Sequence, residues 1–117
     1  MKNLVQDKSF CFALRIVKLC KYLQKTKHEL VMTKQLLRCG TSIGANVAEA
    51  HYAQSRADFV GKLSIALKEA AETDYWLRLL YESNYLNNAE FQSIFSDCKE
   101  LERLLSSIVK TTKNNNS

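Results

Sequence analysis

The side chains in this sequence that are best suited to chemistry are the cations that recur between residues 8 and 28. No acidic residue interrupts them, so they lack the i,i+4 partners that helix surfaces often provide. From Arg15 to Lys25, four of them would share the helix face opposite an apolar stripe. Such a face either binds phosphates, releasing counterions, or is a solvated surface that keeps the protein soluble. The candidate nucleic-acid-binding residues are Lys8, Arg15, Lys18, Lys21, Lys25 and Lys27.

A second pattern lies between residues 38 and 49, where polar and small side chains recur at helical spacing. Gly40 and Gly44 are four residues apart, and glycine inside a helix costs about 1 kcal/mol relative to alanine. We therefore expect another helix or backbone to approach closely there. Four polar side chains form a row away from the apolar side: Arg38, Ser42, Asn46 and Glu49. This row is either a hydrogen-bonded seam between helices, which is the simpler interpretation, or a binding site.

A third feature is a set of apolar side chains beside the main apolar stripe of residues 59–81, with Glu69 and Glu72 between its members. A helix in a bundle needs to bury one stripe, and additional apolar surface often marks a partner interface. The alternative is that the tryptophan of this set widens the core. The candidate oligomer-interface residues are Ile65, Trp76 and Leu79.

Patterns typical of catalytic sites are absent from the sequence. A di-iron bundle requires Glu-x-x-His pairs, and neither His28 nor His51 follows a glutamate by three residues. The glycines at 40 and 44 are not followed by the Gly-Lys-Ser/Thr of a phosphate-binding loop. No serine or cysteine lies in a recognisable nucleophile motif. We therefore predict a non-enzymatic protein without a metal or other cofactor.

The composition favours a helical, cytoplasmic protein. The 117 residues fit a single domain, and the absence of proline together with only 3 glycines leaves too few turn residues for an all-β domain. The sequence shows no signal-peptide pattern and no apolar run of roughly 20 residues, so we expect no membrane association. Its net charge of +5 favours polyanionic partners. Four widely spaced cysteines are predicted to be buried free thiols: Cys11, Cys20, Cys39 and Cys98.

Three capping-box patterns divide the chain into four predicted helices. In such a box, a polar side chain accepts from a backbone N–H, and an acid three residues later reaches back. The pairs are Thr26 with Glu29, Ser55 with Asp58, and Asn87 with Glu90. The predicted helices cover about residues 9–25, 27–53, 56–83 and 88–111, and residues 112–117 form a frayed tail.

Apolar residues recur in each predicted helix at steps of three and four, as Phe12, Ile16 and Leu23 do in the first. One stripe per helix with short connections predicts an antiparallel up-down-up-down four-helix bundle, formed as one domain by residues 1–117.

Several short segments of the second and third predicted helices carry a family resemblance. They are Gln35-Leu-Leu-Arg38, Thr41-Ser-Ile43, Asn46-Val-Ala-Glu49, Ser55-Arg56, Asp58-Phe59, Leu63-Ser-Ile-Ala66, Glu69-Ala70 and Glu72-Thr-Asp-Tyr-Trp-Leu77. Together they resemble the 23S rRNA intervening-sequence protein family of bacterial four-helix bundles, and the likeness extends in pattern over nearly the whole chain. One difference is Ala50, where the family usually has glycine, so we expect the second helix to continue to about Ala53.

The resemblance implies a bundle that assembles into a homo-oligomeric ring, typically a pentamer, and it provides no catalytic residues. A related branch of the family serves reverse transcriptases of diversity-generating retroelements and binds enzyme and nucleic acid through a basic surface. Our leading hypothesis is a homo-oligomer that binds RNA or DNA through its basic outer face, with low sequence specificity. The alternative is a scaffold that docks on a protein partner such as a reverse transcriptase. A metal- or ligand-binding bundle is a third, more distant alternative.

Overall fold

The computed structural model of the protein describes residues 3–115, which contain four helices and no strand. Helix α1 spans Leu4–Thr26, α2 spans Met32–Ala50, α3 spans Arg56–Glu82 and α4 spans Asn88–Asn114. Helix α1 packs against α2 and α4, and α3 packs against the same two helices. The prediction of an all-α four-helix bundle is therefore confirmed.

The core of the bundle consists of the apolar stripes predicted from the sequence. Phe12, Ile16 and Leu23 of α1 are almost fully buried, and partly buried side chains such as Leu19 and Phe59 pack around them. Each large apolar side chain that is fully buried contributes about 1.5 to 3 kcal/mol relative to an exposed one. The equally buried residues of the other helices include Leu36, Ile43, Leu63, Leu77, Leu101 and Leu105.

Helices α1 and α2 approach each other closely at the two glycines of α2. A Cβ atom added at Gly40 would lie 2.9 Å from both Cγ1 and Cγ2 of Ile16. A Cβ atom at Gly44 would lie 3.2 Å from the backbone oxygen of Ser9. The expected close approach is confirmed, and α1 is the helix that makes it.

The connection between α1 and α2 differs from the predicted capping box. Thr26 is the last residue of α1, and His28 follows in the left-handed region with a φ of 55°. The buried carboxylate of Glu29 accepts from three backbone N–H groups of residues 31–33, at 2.8 to 3.2 Å. The prediction that Thr26 caps α2 and that α2 begins near residue 27 was wrong. Glu29 itself is the cap, because its side chain is long enough to reach the free N–H groups of the first turn.

The other helix ends differ from prediction by smaller amounts. Helix α1 begins five residues before the predicted start, since the Asn3 side chain accepts from the N–H of Gln6 at 3.1 Å and caps the helix there. Helix α2 ends at Ala50 and not near Ala53, because the N–H groups of Tyr52 and Ala53 donate only three residues back. This tight turn leaves room for the extended residue that caps α3.

The remaining boundaries follow the predicted caps. Ser55 Oγ accepts from the N–H of Asp58 at 3.0 Å, and the Asp58 carboxylate accepts from the N–H of the preceding Gln54. Asn87 and Glu90 form a complete capping box at the start of α4. Helix α4 continues through residues 112–114, which were predicted to belong to a frayed tail. Residues 116 and 117 of that tail lie outside the described residues.

We expect Glu29→Gln to lower the free energy of unfolding by about 1 to 2 kcal/mol at neutral pH, as loss of a helix cap does. Burial alone would raise the pKa of Glu29, but the backbone N–H donors more than offset it and hold that pKa below its ordinary value of 4.5. The carboxylate therefore stabilises the fold above that pH, and this stabilisation is lost as the pH falls through the pKa in the folded state. Urea unfolding should show the difference between wild type and variant shrinking at acidic pH.

The matched control is Glu82→Gln, at an exposed position, which we expect to change stability little at any pH. A Glu29→Gln effect that stays constant from neutral to strongly acidic pH would contradict the role of the charged carboxylate.

We expect Gly40→Ala to lower the free energy of unfolding by about 1 to 2 kcal/mol, because overpacking against stiff, buried Ile16 outweighs the gain in helix propensity. Gly61→Ala in α3 should instead raise it by up to about 1 kcal/mol, since a Cβ there meets nothing within 4 Å. Urea midpoints of the two variants give the comparison. Equal stabilisation by both substitutions would show that α1 and α2 do not need a glycine at position 40.

Candidate nucleic-acid interface

Two of the six candidate cations, both on α1, are paired with acids of α4. Lys8 Nζ lies 3.1 Å from Glu100 Oε1, and Arg15 Nη1 lies 2.6 Å from Asp97 Oδ2. The Arg15 guanidinium also donates to the hydroxyl of Ser93 at 2.9 Å. The acids that residues 8–28 lack are therefore supplied to these two cations by a neighbouring helix.

The other four cations form a surface that we call the lysine stripe: Lys18, Lys21, Lys25 and Lys27. All four are exposed, and none has an ion-pair partner among residues 3–115. The first three share one face of α1, and the fourth follows the end of the helix. At 1.5 Å per residue, the stripe extends over about 14 Å. It concentrates positive charge at the C-terminal end of α1, where the helix dipole favours cations.

The ion pairs of Lys8 and Arg15 are exposed and therefore weak. The side chains of Lys8 and Glu100 are 37% and 43% exposed, and those of Arg15 and Asp97 are 40% and 44% exposed. Ion pairs this exposed contribute roughly 0 to 1 kcal/mol. A phosphate could replace either acid at small cost, but the acids lower the local potential. Among the six candidate cations, those of the lysine stripe are therefore the ones that no acid neutralises.

The predicted polar row divides into two bridges and one local pair. Arg38 contacts Glu69 Oε2 at 3.2 Å and Glu72 Oε1 at 2.6 Å, which joins α2 to α3. Glu49 Oε1 accepts from Lys62 Nζ at 2.9 Å and forms the second bridge.

The middle of the row bonds within its own helix. Asn46 Nδ2 donates to the backbone oxygen and the hydroxyl of Ser42, at 2.9 and 3.1 Å. These contacts agree with the interpretation as a seam, whereas a binding role for the row remains a prediction.

Arg38 and Trp76 meet at the same carboxylate. Trp76 Nε1 donates to Glu72 Oε2 at 3.0 Å, and hydrogen bonds from Arg38 and then from Trp76 lower the pKa of Glu72. The Trp76 ring is half-buried against the core, so it does widen the core at this point. Arg38 of the polar row and Trp76 of the predicted interface therefore meet where α2 contacts α3.

Exposed apolar side chains include a group on α3 and a pair on α1, besides Leu30 and Val31 in the connection between α1 and α2. On α3, Ile65 is 45% exposed and Leu79 is 37% exposed; with Trp76 they make up the α3 apolar surface. On α1, Phe10 is 65% exposed and Leu14 is 49% exposed, and we call this pair the α1 apolar surface. Sequence reasoning missed the pair because it considered only the apolar stripe that α1 buries. The signal was their i,i+4 spacing outside the buried stripe of α1.

Comparison with known proteins connects this architecture to a family. The family model of the 23S rRNA-intervening sequence protein matches residues 1–107. The chain belongs to this family. A crystal structure at 1.70 Å of a protein of unknown function from the S23 ribosomal protein family of Bacteroides thetaiotaomicron VPI-5482 is similar to it, with a TM-score of 0.90 and 57% identity. The match covers 91% of this chain and 98% of that one.

The family match confirms the resemblance seen in the sequence. No curated protein matches the chain. The 23S rRNA-intervening sequence protein family is not a known enzyme family, and the related structure is that of a protein of unknown function.

Three of the four cysteines in this family member are buried, as predicted. Burial raises the pKa of Cys20 to about 12 and that of Cys39 to about 11, and it raises the pKa of Cys98 as well. Thiols held neutral in this way are poor nucleophiles and poor metal ligands. Cys11 is exposed, so the prediction that it is buried was wrong. It lies on the outer face of α1, one residue from the buried stripe.

One acidic pair between α3 and α4 was not predicted, and it consists of buried Asp74 and half-buried Glu102. Asp74 accepts from Arg78 Nε at 2.7 Å and from Lys99 Nζ at 3.0 Å. Burial and the hydrogen bond with Asp74 raise the pKa of Glu102. Two cations compensate the pair, which identifies it as an ion-pair network that joins α3 to α4.

The described residues contain no cluster of three or more His, Cys, Asp or Glu side chains that could hold a metal ion. None of the helices in residues 3–115 has the length and apolar character needed to cross a bilayer.

Proposed function

We propose that this member of the family is a non-enzymatic, homo-oligomeric bundle that binds RNA or DNA through the lysine stripe. The observation that supports the proposal best is a row of four exposed lysines without ion-pair partners among residues 3–115, while nearby Lys8 and Arg15 are paired. Where a protein leaves such a row of cations uncompensated, a polyanion can bind and release counterions.

Binding of this kind contacts phosphates and carries little sequence information. The stripe lies on one helix and presents ammonium groups, which bind phosphates as point charges and without bidentate geometry. We therefore expect similar affinity for RNA and DNA of different sequence, and a steep loss of affinity as salt rises.

The proposal includes an antiparallel up-down-up-down arrangement of the helices. Ion pairs between α1 and α4 follow reversed order, since Lys8 contacts Glu100 and the later Arg15 contacts the earlier Asp97. The bridges between α2 and α3 follow the same reversed order, with Arg38 at Glu72 and Glu49 at Lys62. The short connections between successive helices are also typical of simple antiparallel bundles.

Self-assembly into a ring is the second part of the proposal. The α1 and α3 apolar surfaces lie on helices that pack against the same two neighbours, so they face different directions. Two different patches that complement each other favour a head-to-tail contact, which closes into a ring where the rotation between neighbouring copies allows it. A pentamer is the size that the family resemblance implies.

Three buried free thiols fit the reducing cytoplasm, where we place the protein.

The alternative function is a scaffold for a protein partner such as a reverse transcriptase. The observation that favours it is the α1 apolar surface, which any partner protein could cover. Absence of nucleic-acid binding at every salt concentration would make the scaffold the better explanation.

We expect the triple variant Lys18→Glu, Lys21→Glu and Lys25→Glu to bind RNA at least about 10-fold more weakly without unfolding. Each lost phosphate contact should also reduce the slope of log affinity against log salt by about 0.7 to 0.9. Fluorescence anisotropy with a labelled duplex RNA, at several salt concentrations, measures both quantities.

The matched control reverses three exposed cations of α3 and α4 that likewise have no ion-pair partner among residues 3–115: Lys68, Arg103 and Lys110. The two triple variants have the same net charge. If both lose RNA affinity equally, then overall charge and not the lysine stripe determines binding.

The ring can be tested with two single variants, each of which damages one apolar surface. We expect Phe10→Lys alone and Ile65→Lys alone to be monomers of 13.4 kDa by light scattering. Mixed in equal amounts at high concentration, they should form a complex of two chains, because each variant keeps the surface that the other lacks. Tyr52→Lys, at an exposed residue of the α2–α3 connection, is the control that should keep the wild-type mass.

A mixture that stays monomeric would rule out contact between the α1 and α3 apolar surfaces. Full-size particles from Ile65→Lys alone would show that the α3 apolar surface is not part of the interface.

A further inference from the structure

A surface pocket lies where α1 ends and the connection between α3 and α4 turns. Its volume is about 350 Å³. Two aromatic rings, two amides, a carboxylate and an ammonium group line it: Tyr22, Tyr85, Asn84, Asn87, Glu90 and Lys27. Lys27 is also the last member of the lysine stripe, so the pocket lies at the end of the proposed phosphate-binding surface.

A second hollow connects the pocket with the stripe. It has a volume of about 340 Å³ and is lined by Arg15 and Lys18, among others. Glu90 lines both hollows. A nucleic-acid strand that follows the lysines along α1 is therefore led towards the pocket.

The walls of the pocket are held by two backbone motifs. Asn84 has a φ of 71°, and its N–H donates to Tyr81 O while the N–H of Tyr85 donates to Leu80 O at 2.9 Å. This is a Schellman motif, in which asparagine takes the left-handed position that glycine usually occupies. The Asn87–Glu90 capping box fixes the next turn. The pocket therefore needs no rearrangement before a ligand enters.

Several polar groups in the pocket have no hydrogen-bond partner among residues 3–115. The capping box uses Asn87 Oδ1 and Glu90 Oε1, which leaves the Asn87 amide NH₂ and Glu90 Oε2. The side chain of Asn84 and the hydroxyls of Tyr22 and Tyr85 also have none. Donors and acceptors therefore stand beside aromatic rings, which is how proteins bind an unstacked base: by stacking and by hydrogen bonds to its edge.

We propose that this pocket binds one unpaired base of a single-stranded nucleic acid whose phosphates lie on the lysine stripe. The inference rests on the proposed function, because the stripe brings the strand to the pocket. Tyr22 is the main stacking residue, since it is 44% exposed and shares the outer surface of α1 with Lys18 and Lys25. Base-paired nucleotides cannot enter, so the pocket adds a preference for single strands to otherwise unspecific binding.

We expect Tyr22→Leu to weaken binding of a short single-stranded RNA by about 10-fold, the range found when a stacking aromatic is removed. Affinity for duplex RNA and the salt slope for both probes should stay unchanged, because no charge is lost. Tyr22→Phe should keep wild-type affinity for single strands. Tyr75→Leu, at another exposed tyrosine, is the matched control on α3. Fluorescence anisotropy measures all of these.

A second measurement detects stacking directly. The chain has 1 tryptophan, so Tyr22→Trp combined with Trp76→Phe places the single indole in the pocket. Single-stranded RNA should quench its emission, whereas inorganic polyphosphate, which offers charge without bases, should bind and leave the emission unchanged.

The possible outcomes separate the two proposals. If single strands and duplex bind but Tyr22→Leu affects neither and no quenching occurs, the pocket is wrong and the lysine stripe stands. If no polyanion binds at all, the proposed function fails and the pocket with it. If a free mononucleotide binds as tightly as the oligonucleotide, the pocket is a site for small nucleotides and its coupling to the stripe is overturned.

Discussion

The arrangement of the whole bundle depends on how closely α1 can lie against α2. Gly40 offers no side chain at the contact, so the branched side chain of Ile16 fills the space that a Cβ would take. A β-branched residue in a helix has essentially one χ1 rotamer, and neighbours can adjust to it only by moving backbone. The contact thus determines the rotation of α1 about its axis. That rotation turns Phe12, Ile16 and Leu23 inward, and it turns Phe10, Leu14 and the lysine stripe outward.

With its rotation set, α1 presents two chemically different segments to its surroundings. Its first half exposes apolar side chains and its second half exposes lysines, with no loop between them. Apolar contact and phosphate contact can therefore occur on one rigid helix without competing for the same residues. The order of these segments is also the reason that the proposed assembly surface and the proposed nucleic-acid surface are adjacent.

Much of the fold could be predicted from the sequence, because burial in a helix repeats every three to four residues and leaves a visible pattern. The positions of Phe12, Ile16 and Leu23 in the core followed from that pattern alone. The capping pattern at Thr26 and Glu29 led to a wrong helix start. An acid in this position can complete a capping box with the residue three before it, or it can cap the helix by itself. The sequence order of the two residues is the same in both cases.

The candidate site was only partly predictable, because its electrostatics depend on residues far apart in the chain. Nothing within α1 indicates that Arg15 meets Asp97 while Lys18 has no partner among the described residues. The pocket at Tyr22 combines α1 with a turn that begins at Asn84, and no spacing rule connects the two. Local patterns can predict which face of a helix is polar, but they cannot predict which charges on it are neutralised.

The uneven neutralisation along α1 has a consequence for any closed assembly of this chain. Asp97 and Glu100 neutralise the two cations in the first half of the helix, and the uncompensated lysines lie towards its far end. In a ring with rotational symmetry every copy has the same orientation, so in a ring whose axis runs along α1 all the lysines would lie at one rim. Such a ring would have two unlike ends, and a strand could approach it productively from one direction only.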